Sequence, residues 1–350
     1  LSGASILYEF YSTILALLFD KSNSMKNILL AICIVLFYSS CHKNKNETVA
    51  PKGPWTLFSQ VDNGLSYITC LRDTLVLGCN ITTVDYTMPY FFTGAVAPTS
   101  TGFYGHGVPF ENGMILLAAY EDGLFTTTFN ESIYYSGDLC KSWVKKDNGL
   151  SSSADIEDIV GGNNGLYACG SGIFFSDNNG DSWSDISIPD MFRAYHIVSV
   201  ENTLIACIET KSSSVAILYK SEDNGTTWTP LNPLGIPTSS VSKFAVIDNV
   251  LYASLTDGTN SYLYISSDKG ANWIKSKGLD ILGDNTFRAF ESHNGVAYVG
   301  TYHGVFKSVD NGQNWTSVGC DNVISMVIND NILYAATLSN SVWKASLTSL

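Results

Sequence analysis

The chain has 350 residues, 45% of them hydrophobic and 12% aromatic, enough to fill the core of one large all-β domain or two ordinary ones. Nineteen Lys and Arg against 32 Asp and Glu give a formal charge of −13, so the protein's own field repels phosphate backbones and anionic headgroups and argues against nucleic acid as a partner. Only 15% of residues are charged, while Gly, Ser, Thr and Asn abound, the balance of many short strands joined by turns.

Residues 1–24 carry a short apolar run, Ile14 to Phe19, that is too brief to span a bilayer. They read as upstream translated sequence, with a longer uncleaved anchor as the alternative. Met25, Lys26 and Asn27 then precede an apolar stretch up to Tyr38 and the small residues Ser39 and Ser40 before Cys41. This resembles a bacterial lipoprotein signal over 25–40, in which Cys41 becomes the lipidated first residue of the mature protein. The polar segment 41–54 suits a flexible tether. The expectation is an exported protein of the bacterial envelope that meets the membrane through its lipid anchor alone; an ordinary export signal is the competing reading.

From residue 55 onward one pattern, S-x-D-x-G-x-x-W, returns at intervals. Its first appearance, Ser136, Asp138 and Trp143, has Cys140 where Gly is expected. The second, Ser176, Asn178, Gly180 and Trp183, exchanges Asp for Asn. The complete pattern follows three times: Ser221, Asp223, Gly225, Trp228; Ser266, Asp268, Gly270, Trp273; and Ser308, Asp310, Gly312, Trp315. Ser and Asp side chains can bond their own turn backbone, Gly accepts positive φ without steric cost, and Trp buries a large apolar surface beside the hairpin. A calcium loop around Asp177 to Asp181 is the competing reading, but the later bidentate Glu such loops need is missing, so no metal is expected. The five motifs resemble those of the Asp-box, or bacterial neuraminidase repeat, family of β-propellers, which includes sialidases, sortilin-type receptors, xyloglucanases and photosystem II assembly factors.

The resemblance implies an all-β propeller over 55–350, and the spacing agrees. Trp143, Trp183, Trp228, Trp273 and Trp315 are separated by 40, 45, 45 and 42 residues. Between them recur runs such as Leu166-Tyr-Ala, Leu204-Ile-Ala, Leu251-Tyr-Ala, Ala297-Tyr-Val and Leu333-Tyr-Ala, giving four antiparallel strands per unit. The interval from Trp55 to Trp143 fits two more units and a total of seven blades, with six and a long insertion as the alternative. Trp55 lies in an outer-strand context and the carboxyl end, 323–347, supplies only three strands. Segment 55–59 is therefore expected to complete that last blade, closing the ring and removing its exposed edges.

Function is less legible. Aligning the innermost strands puts Glu157, Lys243 and Arg288 at matching positions, as charges lining the channel or as solvated strand ends. The irregular stretch 81–110 breaks the repeat and is crowded with aromatic residues; Tyr86, Tyr90, Tyr104 and His106 could stack on a sugar or grip an apolar peptide, or could pack over a blade without a box. The family comparison implies that a sialidase would need Arg72, Arg193 and Arg288, the three arginines of the chain, to converge, together with a Tyr and Glu pair. No catalytic motif stands out, no C-x-x-C pair appears among the eight Cys, and no cofactor is implied. The leading expectation is a monomer that binds a glycan, a peptide or an envelope protein without chemistry, and the alternative is a glycoside hydrolase.

Overall fold

The computed structural model describes residues 51–60, 65–71, 73–79, 82–83, 86–87, 114–128, 132–140, 142–151, 154–231, 235–237, 241–256, 260–279 and 287–350, all within the compact unit Ala50–Leu350. Cys41, Arg72, Tyr90, Tyr104, His106, the signal and most of the tether lie outside the described residues, and Tyr86 is described only in its backbone.

The chain enters as β1 (Thr56–Gln60), then forms the hairpin of β2 (Leu65–Leu71) and β3 (Thr74–Cys79) and the short pair β4 (Thr82–Thr83) and β5 (Tyr86–Thr87). One four-stranded sheet holds β6 (Met114–Tyr120), β7 (Gly123–Thr128), β8 (Ile133–Ser136) and β9 (Val144–Lys145). The next holds β10 (Ile156–Gly162), β11 (Gly165–Gly170), β12 (Ile173–Ser176) and β13 (Ser184–Asp185). It is followed by β14 (Met191–Val200), β15 (Thr203–Thr210), β16 (Ser213–Ser221) and β17 (Thr229–Pro230). Then come β18 (Val241–Ile247), β19 (Val250–Thr256), β20 (Ser261–Ser266) and β21 (Ile274–Lys275). The fifth sheet is β22 (Ala289–His293), β23 (Val296–Thr301), β24 (Gly304–Ser308) and β25 (Thr316–Gly319). In the last, β26 (Val323–Asn329), β27 (Ile332–Thr337) and β28 (Ser341–Ser346) are joined by β1, in the order β1-β28-β27-β26.

The protein is thus an all-β propeller with six complete, four-stranded antiparallel blades. Seven complete blades were the leading expectation; in the interval assigned to the extra unit, the described residues form the short β4–β5 pair and the two-stranded β2–β3 sheet, the latter between the closing blade and the β6–β9 blade. The first strands of successive sheets touch one another around the ring, and β2 touches both β26 and β6.

Second strands such as β11, β23 and β27 are almost wholly buried because both faces of each sheet are covered by neighbours. That explains why Leu-Tyr-Ala runs show no polar alternation. Apolar cores fill the blade interfaces, and in four of them a buried Trp packs at the edge. Trp183 packs with Phe125, Ile133 and Ala168; Trp273 with Ile205, Leu218 and Phe244; Trp315 with Tyr252, Ile265 and Phe306. Trp55 does the same with Val323, Leu333 and Trp343, and its Nε1 donates to Val318 O at 2.7 Å. Each such ring stabilises its interface by about 4–6 kcal/mol in area terms before ordering costs are subtracted. The ladder between β1 and β28 pairs Thr56 with Lys344, Leu57 with Trp343 and Gln60 with Ser341, which is the ring closure anticipated from the unpaired last blade.

Candidate functional site

The boxes lie at the turns between third and outer strands, where their bonds are spent on themselves. In the box of Ser308, its Oγ accepts the Gly312 N–H at 2.8 Å and donates to Asp310 Oδ1 at 2.8 Å. Asp310 in turn accepts the Asn314 N–H at 2.9 Å and its side-chain Nδ2 at 2.7 Å. The bonds from Asn314, side chain first and then backbone, hold the Asp310 carboxyl below its usual range. Gly180, Gly225, Gly270 and Gly312 all take the positive φ the motif requires.

The two imperfect boxes keep the same geometry by different means. Asn178 accepts the Ser182 N–H through Oδ1 at 2.9 Å, but its Nδ2 donates to Ser182 Oγ at 2.8 Å, whereas Thr227 Oγ1 donates to Asp223. Cys140 adopts φ 64° in place of Gly, and its N–H still reaches Ser136 Oγ at 2.8 Å. Among the described residues no group of His, Cys, Asp or Glu could hold a metal ion.

The inner strands are built differently. Near the start of β2, β6, β10, β14, β18 and β26 the register with the second strand slips. The slip comes between Leu65 and Tyr67, Met114 and Leu116, Ile156 and Asp158, Ala194 and His196, Val241 and Lys243, and Val323 and Ser325. A bulge adds one residue and re-aims the side chain after it. The equivalent positions past the bulge are therefore Tyr67, Leu116, Asp158, His196, Lys243 and Ser325, opposite Gly78, Thr127, Cys169, Cys207, Ser254 and Ala336.

This corrects the sequence alignment of Glu157 with Lys243. Glu157 is the bulge residue, and the match to Lys243 is Asp158. Glu157 bonds Arg193, whose Nη2 also donates to Asp155 at 2.5 Å. Tyr195 lies beside the Arg193 guanidinium and donates its hydroxyl to Glu209.

Lys243 and Arg288 do come together. They line a cavity of about 470 Å³ with Tyr67, His196, Phe287 and Ile324. Arg288 donates from Nη2 to Tyr302 Oη at 2.5 Å and stands 4.6 Å from that ring's centroid. Burial pushes the Tyr67 phenol up while the charge of Arg288 acts in the opposite direction, so the two share a field. His196 Nδ1 lies 3.6 Å from Asp158 Oδ2. The arrangement offers cationic and phenolic donors beside apolar walls, suited to holding an acidic, partly apolar segment.

Neither His196 nor Tyr67 belongs to a motif in the sequence; the signal that finds both is their place opposite the residue that follows each Leu-Tyr-Ala-like run. Arg193 is occupied by two carboxylates, which leaves it poorly placed to clamp a substrate. Cys169 and Cys207 are buried free thiols that pack as small apolar residues, and burial pushes the Cys207 thiol up to about 11. Cys70 is also a free thiol; the β2–β3 ladder sets it opposite Leu75 and places Cys79 opposite Leu65 at the other end. On β22, burial raises the Glu291 carboxyl to about 8, opposed by the Ile328 N–H.

Residues 117–250 match the family model of the DUF6242 beta propeller domain. No curated protein matches the sequence. Among solved structures, the chain is similar to YCF48 from Cyanidioschyzon merolae, with a TM-score of 0.58 and 12% identity over 85% of this chain and 100% of that one. A structure described as YCF48 bound to D1 peptide gives 0.59 and 13% over 85% and 97%. The computationally designed Ika8 protein gives 0.55 at 8% identity over 83% and 98%. At these identities the likeness is one of fold.

Proposed function

We propose that this propeller is a binding protein without catalytic activity, and that its channel mouth holds an acidic peptide segment of a partner. The observation that carries this reading is the joining of Lys243, Arg288, His196 and Tyr67 around one cavity in a chain of charge −13. A local cationic mouth on an acidic protein selects for carboxylates and repels most other surfaces of like sign. The similar fold of YCF48, which has been captured with a D1 peptide, supports a peptide over a glycan. Titration with a synthetic Asp- and Glu-rich peptide tests it. The expected result is micromolar binding that weakens with salt and drops at least tenfold in Lys243→Ala/Arg288→Ala. Equal affinity in that variant refutes the assignment of the mouth.

The same reading places the protein outside the cytoplasm, held by a lipid on Cys41, because the signal-like stretch ends there and a polar tether follows. Cys41→Ser should abolish incorporation of labelled palmitate; undiminished labelling removes the anchor from the proposal.

A further inference from the structure

Lys243 and Arg288 stand where the inner strands begin; where those strands end, at the opposite end of the ring, a second cavity of about 770 Å³ opens. Four successive blades line it, at the ends of β6, β10 and β14 and at the turns leading into β11, β15 and β19. Its volume lies within the range of small-molecule sites. The binding of an acidic segment at the other mouth makes no use of it.

Tyr120 supplies the aromatic wall. Its ring lies across Gly161 on the neighbouring inner strand, where even a Cβ would come within 2.2 Å of the ring, so glycine is what lets the ring settle on bare backbone. The ring is half-buried and packs on the core of Phe125 and Ile159, which fixes its orientation before any ligand arrives. Gly162 likewise leaves room for the Ser199 hydroxyl, which would stand 2.8 Å from a Cβ at that position.

Carboxamides make the polar wall. Asn163 Nδ2 donates to Glu201 O at 3.0 Å and to Asn202 Oδ1 at 3.1 Å, which ties the turn of one blade to that of the next and leaves Asn163 Oδ1 and Asn202 Nδ2 unspent among the described residues. Asn249 adds a third carboxamide. Its φ of 64°, beside 49° at Asp248, is what a tight turn asks of Asn; Asn163 and Asn202 take no positive φ, so turn geometry does not account for them. Glu201 borders the cavity with its carboxylate already paired to Lys269 Nζ at 2.7 Å.

We infer that this far end of the channel binds a neutral oligosaccharide. Carboxamides and hydroxyls both donate and accept, as sugar hydroxyls do, so the wall can satisfy such a ligand without burying an unpaired group. The Tyr120 ring would cover the apolar C–H face of a pyranose. A phosphate or an acidic peptide finds no free cation here, because Lys269 is spent on Glu201. Glu121, Asp122 and Asp248 stand in the surrounding turns, which makes a cationic peptide the competing ligand to be tested. The site goes beyond the reading of the Lys243 and Arg288 mouth, and either can fail without the other.

The probes are maltotetraose, cellotetraose and chitotetraose, titrated calorimetrically into the full chain, with tetralysine and tetragalacturonate as cationic and anionic controls. At least one neutral probe is expected to bind at millimolar concentration or below, with an affinity indifferent to salt, while neither control binds. Tyr120→Ala should weaken that binding at least tenfold. Asn249→Gly removes a carboxamide but keeps the positive φ of its turn, and should weaken binding at least threefold even if loss of the Tyr120 ring disturbs the fold. An Asp- and Glu-rich peptide at saturation should leave the sugar affinity unchanged; competition between them would assign the sugar to the other mouth and overturn the proposal. Failure of all three neutral probes, binding of either charged control as tight as theirs, or full sugar affinity in both variants overturns it as well.

Discussion

The rim of the propeller and the mouth of its channel are made from the same repeat, yet they use it in opposite ways. At the rim, Ser, Asp and Gly recur in nearly every unit and their donors and acceptors are consumed within the turn, as in the box of Ser308, Asp310 and Gly312. At the mouth, the equivalent positions past the bulge carry Tyr67, Leu116, Asp158, His196, Lys243 and Ser325, a different chemistry in each blade. A repeat position that stays constant is one the fold requires. A position that varies while its backbone stays fixed is one the fold leaves free for recognition.

Three perturbations separate the two regions. The largest effect is expected from deleting residues before Leu65, which removes β1, its ladder to β28 and the Trp55 ring. Loss of one buried Trp alone costs about 3–5 kcal/mol, so the deletion should exceed ~5 kcal/mol and lower the melting transition of the whole ring. A truncated chain melting at the same midpoint with the same cooperativity would show that closure contributes little.

A smaller effect follows from Glu291 on the inner strand β22, whose carboxyl is raised to about 8 by burial. The folded state then binds a proton that the unfolded state has released. Stability is therefore expected to fall as pH rises from the ordinary glutamate value of 4.5 towards 8, by on the order of a few kcal/mol. The rim carboxylates act with the other sign: Asp223, held low first by the Thr227 hydroxyl, and Asp310 add stability above the ordinary carboxylate range and lose it as pH falls. Melting curves from pH 5 to 8 on the wild type and Glu291→Gln check this. The variant should be flat where the wild type declines, and parallel curves would exclude Glu291 as the source.

The smallest effect is expected at the mouth. In Lys243→Ala/Arg288→Ala, the variant expected to lose peptide binding, unfolding should change by no more than ~0.5 kcal/mol per site, since neither side chain belongs to an interface core. Urea melts of the same preparation used for binding provide the measurement. A large loss of stability would move these residues from recognition to scaffolding.

The sequence made the rim legible because each box residue has a local job that only one or two side chains can do. Trp55 and the incomplete last blade likewise announced ring closure, since an unpaired edge has few remedies. The mouth was harder to read because a bulge is a backbone event: its residues here include Ser66, Glu157, Ser242 and Ile324, which range from hydroxyl to carboxylate to hydrocarbon. Counting straight through it shifted Glu157 by one place and hid the equivalence of Asp158, His196 and Lys243.

Ring closure also dictates an order of events during folding. Thr56 bonds Lys344 across a separation of 288 residues, and the length-dependent cost of closing such a loop is on the order of 5 kcal/mol. Contacts within each hairpin and between successive blades form over far shorter spans, so the blades can assemble one upon another while the first strand is still unpaired. The β1–β28 ladder is then the final step, and until it forms the growing solenoid keeps one adhesive side. A nascent chain of this design spends its most vulnerable period with its blades already stacked, waiting for β1 and β28 to meet.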